Sequence, residues 1–172
     1  APPAIEQQIE EIVAEIDPDD PSTYGAPERI VSLGQPVVPI MLELLAAPDL
    51  TTRYAAVYVL SRLATEADIP ELVKGLDDPD MSNRTTIAAT LLWLGDDSGL
   101  PILQDALQSD QMLAFSHPPE LLADYAQRVL DESGPEAPAV FPDGTGYGLL
   151  AAPAKLPLHD VKVTLAECRI NI

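Results

Sequence analysis

From Pro3 to Ile16 the apolar residues Ile5, Ile9, Ile12, Val13 and Ile16 recur at steps of three and four, with glutamates on the opposite side. That period is helical and predicts an amphipathic helix. Pro18 and Pro21 end it, because proline withholds the backbone donor a helix needs. A second short helix is predicted over Pro27–Leu33, with Pro27 in its first turn and Gly34 as its left-handed stop. Together the two helices form an entry cap over the apolar end of the chain beyond Gly34.

From Val37 to Asp110 the pattern repeats. Pro39, Pro70 and Pro101 are 31 residues apart, and the same step aligns Met41, Leu72 and Leu103, and then Leu45, Leu76 and Leu107. It also pairs Asp49 with Asp80, Arg53 with Arg84, Leu60 with Leu91, and Leu63 with Leu94. A fixed period of this size means stacked units, each burying an apolar face against its neighbour. Each unit divides into two helices. The first helix is predicted at about 36–46, 69–76 and 100–107, closed by turns containing Pro48, Pro79 or Ser109. The second is predicted at about 51–64 and 82–94, with Thr51 and Ser82, or the aspartates just upstream, capping its free amides.

The run Pro48-Asp49-Leu50-Thr51-Thr52-Arg53-Tyr54-Ala55-Ala56, closed by Leu60 and Leu63, resembles the short HEAT-like repeat, a variety also found in phycobilisome chromophore lyases. Pro79-Asp80-Met81-Ser82-Asn83-Arg84, followed by Leu91, Leu94-Gly95-Asp96 and Pro101, is similar to it again. The resemblance covers roughly residues 24–131 and implies an all-α fold, a right-handed α-solenoid of antiparallel helix pairs. It departs from the pattern after Asp110, where Gln111-Met112 replaces the turn and Phe115 stands in place of the repeat's arginine. Ser116-His117-Pro118-Pro119-Glu120 then opens a helix predicted to run through Leu130, with Ser116 or His117 as cap, so an insertion alters the third unit and makes it the closing cap.

Beyond residue 133 the helical period stops and proline and glycine accumulate, which marks 134–172 as an extension separate from the repeat domain at 1–133. Its end, Val161–Ile172, alternates on a two-residue step and predicts a terminal strand. That strand pairs either within the extension or with another molecule.

Charge narrows the range of partners. The chain has 28 acidic and 9 basic residues, a formal charge of −19. Such a surface repels phosphate backbones and anionic membranes, and no run reaches the ~18 apolar residues of a membrane helix. The excess of aspartate with little lysine fits a salt-adapted or extracytoplasmic protein, and Ala1-Pro2-Pro3 is either a mature terminus or a trimmed one. The single cysteine, Cys168, has no internal partner and leaves the compartment open.

Catalytic and metal chemistry find no footing. Asp17–Asp20, Asp77-Asp78 with Asp80, and Asp96-Asp97 form acidic turns without the ligand spacing of a calcium loop. His117 and His159 lie far apart, Ser116 and His117 are chain neighbours that point apart, and the glycines at 144, 146 and 148 lack the lysine and helix of a phosphate loop. The chain is therefore read as non-enzymatic, with no cofactor or metal.

Asp49, Arg53, Asp80 and Arg84 are expected to form a structural ladder. Each aspartate caps its own helix, and each arginine reaches a carboxylate of the adjacent repeat. With Ala56, Val59, Leu60 and Leu63 buried, Tyr54, Tyr58 and Arg62 share the outward face of their helix, and Thr85, Ala89, Leu92 and Trp93 match them one period later. The HEAT-like resemblance implies that second helices line a concave surface. Aromatic and arginine side chains displayed there have the composition of a binding hot spot. The expectation is a scaffold that binds a partner protein or peptide segment on that face. A bilin-binding or chromophore lyase-like role, and assembly through the terminal strand, are the alternatives.

Overall fold

The computed structural model describes residues 4–133. Among these residues every regular element is helical, and the only extended pairing is a single antiparallel bridge between Met112 and Leu121. Helix α1 (Ile5–Ala14) and the short α2 (Pro27–Val31) come first. Three first helices follow, α3 (Val38–Leu44), α5 (Ile69–Lys74) and α7 (Leu100–Ala106), alternating with three second helices, α4 (Leu50–Leu63), α6 (Met81–Trp93) and α8 (Leu122–Glu132). Pro39, Pro70 and Pro101 sit in the first turns of α3, α5 and α7, where the missing donor costs nothing. The described chain is an all-α solenoid; the predicted boundary at 133/134, the Pro/Gly stretch and the strand Val161–Ile172 fall outside it.

The 31-residue step is visible in the backbone bonds. The amides of Ala47, Asp78 and Ser109 donate to the carbonyls of Leu44, Gly75 and Ala106 at 3.0, 3.1 and 3.0 Å. Each first helix therefore ends in the same tightened turn. Packing then proceeds in sequence: α3 lies on α4, α4 on α6, α6 on α7, and α7 and α6 on α8, with α1 and α2 covering the first end of the stack. One apolar cluster gathers Ile30, Met41, Leu60, Leu72 and Leu91, and a second gathers Trp93, Leu103, Tyr125 and Val129. The entry to α7 comes so close to α6 that a Cβ on Gly99 would lie 2.5 Å from the Ala88 Cα, so only glycine fits there.

The third unit differs from the expected course. By the period its second helix would start at Met112, and the sequence suggested a helix opening at Ser116 or His117, but α8 begins only at Leu122. Ser116 does not cap a helix. Its Oγ donates to the Leu113 carbonyl at 2.8 Å and accepts the Glu120 amide at 3.1 Å, which closes a loop. Phe115 turns that loop at φ 55°, a left-handed value that no helix can incorporate. A bond from the Leu113 amide to the Glu120 carbonyl, 2.8 Å, and one from the Leu122 amide to the Gln111 carbonyl, 2.9 Å, close its base.

Aspartates organise the starts of the second helices. Asp49 accepts the Thr52 amide at 2.8 Å and Asp80 accepts the Asn83 amide at 3.0 Å. Arg53 donates through Nε to Asp78 Oδ2 at 2.9 Å and through Nη1 to the Ala47 and Pro48 carbonyls, both at 3.0 Å. That ion pair spans adjacent units and is almost fully enclosed. Asp78 also accepts the Asp80 amide and the Asn83 side-chain amide, so its charge is well bonded. Arg84 repeats only half of the arrangement: it reaches the Asp78 carbonyl at 2.6 Å, but the residue one period beyond Asp78 is Ser109, which has no charge to offer.

Replacing Asp78 with alanine strands the Arg53 guanidinium in a buried site, and urea melts should show a loss of about 3 kcal/mol. Ser109→Asp supplies the missing carboxylate to Arg84 and should gain up to about 1 kcal/mol, since that site is half-buried.

The bond from the Thr52 amide to Asp49 holds its carboxyl below the usual carboxylate range, with burial opposing weakly. A depressed folded-state pKa adds stability above the unfolded value, and that stability is lost as pH falls through the folded one. Asn caps equally well without titrating, so Asp49→Asn should match wild type near neutrality and fall less in thermal melts at about pH 3, a difference below about 1 kcal/mol.

Candidate functional site

The second-helix row is closed where the sequence suggested an open face. Eleven of the thirteen residues of α6 are buried. Thr85 and Ala89 are inaccessible and Leu92 and Trp93 nearly so, with Trp93 only 3 % exposed. The placement of these four on an outward surface is corrected by the packing of α8: Ala89, Leu92 and Trp93 join one cluster with Leu122, Tyr125, Ala126 and Val129. Polar side chains tolerate this burial because the hydroxyls of Thr85, Thr86 and Thr90 donate to carbonyls one turn back, those of Met81, Ser82 and Thr86.

On α4 the expected trio splits. Tyr54 is buried, with its hydroxyl donating to the Tyr24 carbonyl at 2.9 Å, and burial pushes its phenol well above the ordinary range. Tyr58 and Arg62 remain half-buried and share one acid on α2. The Tyr58 hydroxyl donates to Glu28 Oε2 at 2.9 Å, and Arg62 Nη2 lies 3.5 Å from Glu28 Oε1. Burial, reinforced by the bond to Glu28, pushes the Tyr58 phenol up to about 12. The structure therefore joins Tyr58, Arg62 and Glu28 in one polar cluster and separates them from the α6 positions.

The space between α4 and α6 is taken by the insertion. Phe115 stacks on the Tyr54 ring, centroids 4.1 Å apart and planes 15° from parallel, and meets Tyr24 edge-on at 5.1 Å. The Ala114 amide donates to Ser82 Oγ at 2.9 Å, and Leu113 is buried in the α6–α8 cluster. Beneath them lies a cavity of about 10 Å³ lined by Tyr54, Ser82, Asn83, Thr86, Leu113 and Ala114, among others. That is room for one water.

Magnitudes show how firmly this strap is held. The aromatic stack adds about 1 kcal/mol beyond area burial, and the bond to Ser82 adds about 1 kcal/mol. The left-handed backbone at Phe115 costs about 1–2 kcal/mol. These terms nearly cancel, which leaves the buried Leu113 as the main anchor. Residues 113–115 belong to the site although the hot-spot reading did not include them; the signal was Phe115 standing where the repeat has arginine.

The acidic turns serve the backbone. Asp17, Asp20 and Asp96 accept the amides of Asp19, Ser22 and Ser98. No group of three described His, Cys, Asp or Glu side chains is placed to hold a metal, and no described helix is long and apolar enough to cross a membrane. Among the described residues the large apolar side chains left exposed are Met112, 49 %, and Leu121, 40 %, facing each other at the base of the strap. The described cations mostly have acids of their own: Arg29 with Glu15, Arg53 with Asp78, Arg62 with Glu28, Lys74 with Glu71 and Arg128 with Glu120.

Comparison with curated proteins and with solved structures finds no match. The family model that does match is the one described as HEAT repeats, over residues 38–113. Those residues run from the start of α3 into the strap, through the units whose turns repeat at the 31-residue step. Over residues 38–113 the chain is similar to HEAT repeats, and its described helix pairs stack as such repeats do.

Proposed function

We propose that this chain is a non-enzymatic scaffold that binds an extended segment of another protein across α4 and α6. HEAT repeats generally mediate protein–protein interaction, and the family is typically non-catalytic. The observation that carries the choice of face is the strap itself. A turn of chain, Leu113 to Ser116, lies across the second helices through an amide bond to Ser82 and an aromatic stack on Tyr54. With that turn seated there, the surface an incoming segment would meet is the rim beside it. Tyr58 and Arg62 are the half-exposed side chains of α4 beside that strip, placed to orient an incoming partner.

The likeness of these repeats to those of chromophore lyases leaves a bilin-binding role at this face as the alternative. A visible absorption band on titration with a linear tetrapyrrole is the readout that would favour that role.

The test uses the full chain and a Tyr58→Ala/Arg62→Glu variant whose helical circular dichroism matches wild type. Cross-linking and affinity capture from the source cells should recover one stoichiometric protein with wild type and at least about ten-fold less with the variant, the loss expected for removing a hot-spot pair. Equal recovery of the same protein by a folded variant removes the proposal.

A further inference from the structure

We infer that Ser109 is a phosphorylation site, and that a phosphoryl group on its Oγ pairs with Arg84 to complete the second rung of the Asp/Arg ladder. Such a site acts on the joint between the second and third units, whatever the chain binds. In the first rung Arg53 meets Asp78, 25 residues later, with Nε 2.9 Å from Oδ2. The same step from Arg84 leads to Ser109.

Three hydrogen bonds carry the geometry of the first rung over to the second. The Ser109 amide donates to the Ala106 carbonyl at 3.0 Å, as the Asp78 amide does to Gly75 at 3.1 Å. The Gln111 amide donates to Ser109 Oγ at 3.2 Å, as the Asp80 amide does to Asp78 Oδ1 at 2.8 Å. Arg84 Nη1 donates to the Asp78 carbonyl at 2.6 Å, six residues back, as Arg53 Nη1 does to the Ala47 carbonyl at 3.0 Å. Turn and guanidinium are therefore set as in the first rung, and the difference is a second oxygen. Asp78 has Oδ2 for Arg53, whereas the Ser109 side chain ends at the atom that already bonds Gln111. Among the described residues Arg84 has no carboxylate within ion-pair distance, while the other described arginines and the described lysine each have one.

A phosphoryl group supplies that oxygen and its charge. It brings roughly two negative charges and three strong acceptor oxygens, which lie a bond farther from the backbone than those of aspartate and suit the planar fork of an arginine. Ser109 is partly exposed and its neighbours Gln108, Asp110, Gln111 and Met112 are exposed, so the hydroxyl sits on a surface turn. In the transfer, Oγ attacks the γ-phosphorus of ATP held by a serine/threonine kinase. The Oγ–P bond forms, the bond from phosphorus to the ADP oxygen breaks, and the hydroxyl proton passes to a carboxylate base of the kinase. Asp105 and Asp110 flank the serine and are exposed, which suits a kinase with a basic groove. Because Asp110 faces water, its repulsion of the new charge is screened.

The completed rung ties the insertion down at its root. The Gln111 carbonyl accepts the amide of Leu122, the first residue of α8, at 2.9 Å. The Ala114 amide bonds Ser82, two residues before Arg84 on α6. A charge pair between 109 and 84 therefore holds the insertion and the start of α8 against α6, and removal of the phosphate by a phosphatase releases them.

Peptide mass spectrometry of the chain purified from its source cells should find phosphate on Ser109. Ser109 present only as unmodified serine overturns the inference. Phosphoserine is then placed at 109 of the full chain and amide exchange of Leu122 is followed. The phosphoryl group should slow that exchange at least about three-fold in wild type, the effect of a half-buried ion pair, and leave it unchanged in Arg84→Gln. Exchange that phosphate does not alter, or that slows equally in Arg84→Gln, overturns the pairing. If Arg84→Gln does not fold, Arg84→Lys takes its place: lysine keeps the charge without the fork, so the slowing should shrink, and equal slowing contradicts the pairing.

Discussion

Helix α6 has no free side. It lies between α4 and α8 in the row of second helices, with α5, its following turn and α7 behind it, and the strap crosses its N-terminal half. Everything else in the described fold is arranged to enclose it: small residues at Ala88 and Ala89, a glycine at 99 where α7 approaches, and hydroxyls turned back onto the helix's own carbonyls. A helix in this position cannot display a hot spot. It can only support one on the helix next to it or on the segment that crosses it.

That constraint moves the functional question from α6 to the seam between α4 and the insertion. Tyr54 is buried under Phe115 and beside Tyr24, so the entry cap, the first unit and the third unit meet around one aromatic group. The Arg53–Asp78 pair performs the matching task on the other side of the turn, fixing one unit to the next with a nearly dry ion pair. The repeat thus joins neighbouring units through the ladder, and the insertion joins units that are not neighbours. Where the ladder ends, at Arg84 opposite Ser109, the insertion begins.

Much of this is legible in the sequence. The prolines at 39, 70 and 101 and the leucines in register behind them specify the helix pairs, because each turn closes on the same amide-to-carbonyl bond. The outward face is misplaced by spacing alone for an identifiable reason. Spacing along α6 points outward only if second helices face open space, yet no charged residue occurs from Thr85 to Gly95, and a helix segment without charge on any side belongs inside. The strap is less accessible to pattern. Phe115 in the arginine position announces a departure, but its contact with Tyr54 joins residues 61 apart, and no local period encodes that.

The central claim is that the strip between α4 and α6 is occupied by the chain's own residues 113–115. Residue-resolved amide hydrogen exchange on the full chain tests it most directly. The Ala114 amide, bonded to Ser82 and covered by the strap, should exchange far more slowly than an unstructured amide and should lose that protection in Ser82→Ala. Exchange at the unstructured rate in wild type, or protection that survives Ser82→Ala unchanged, would contradict the account.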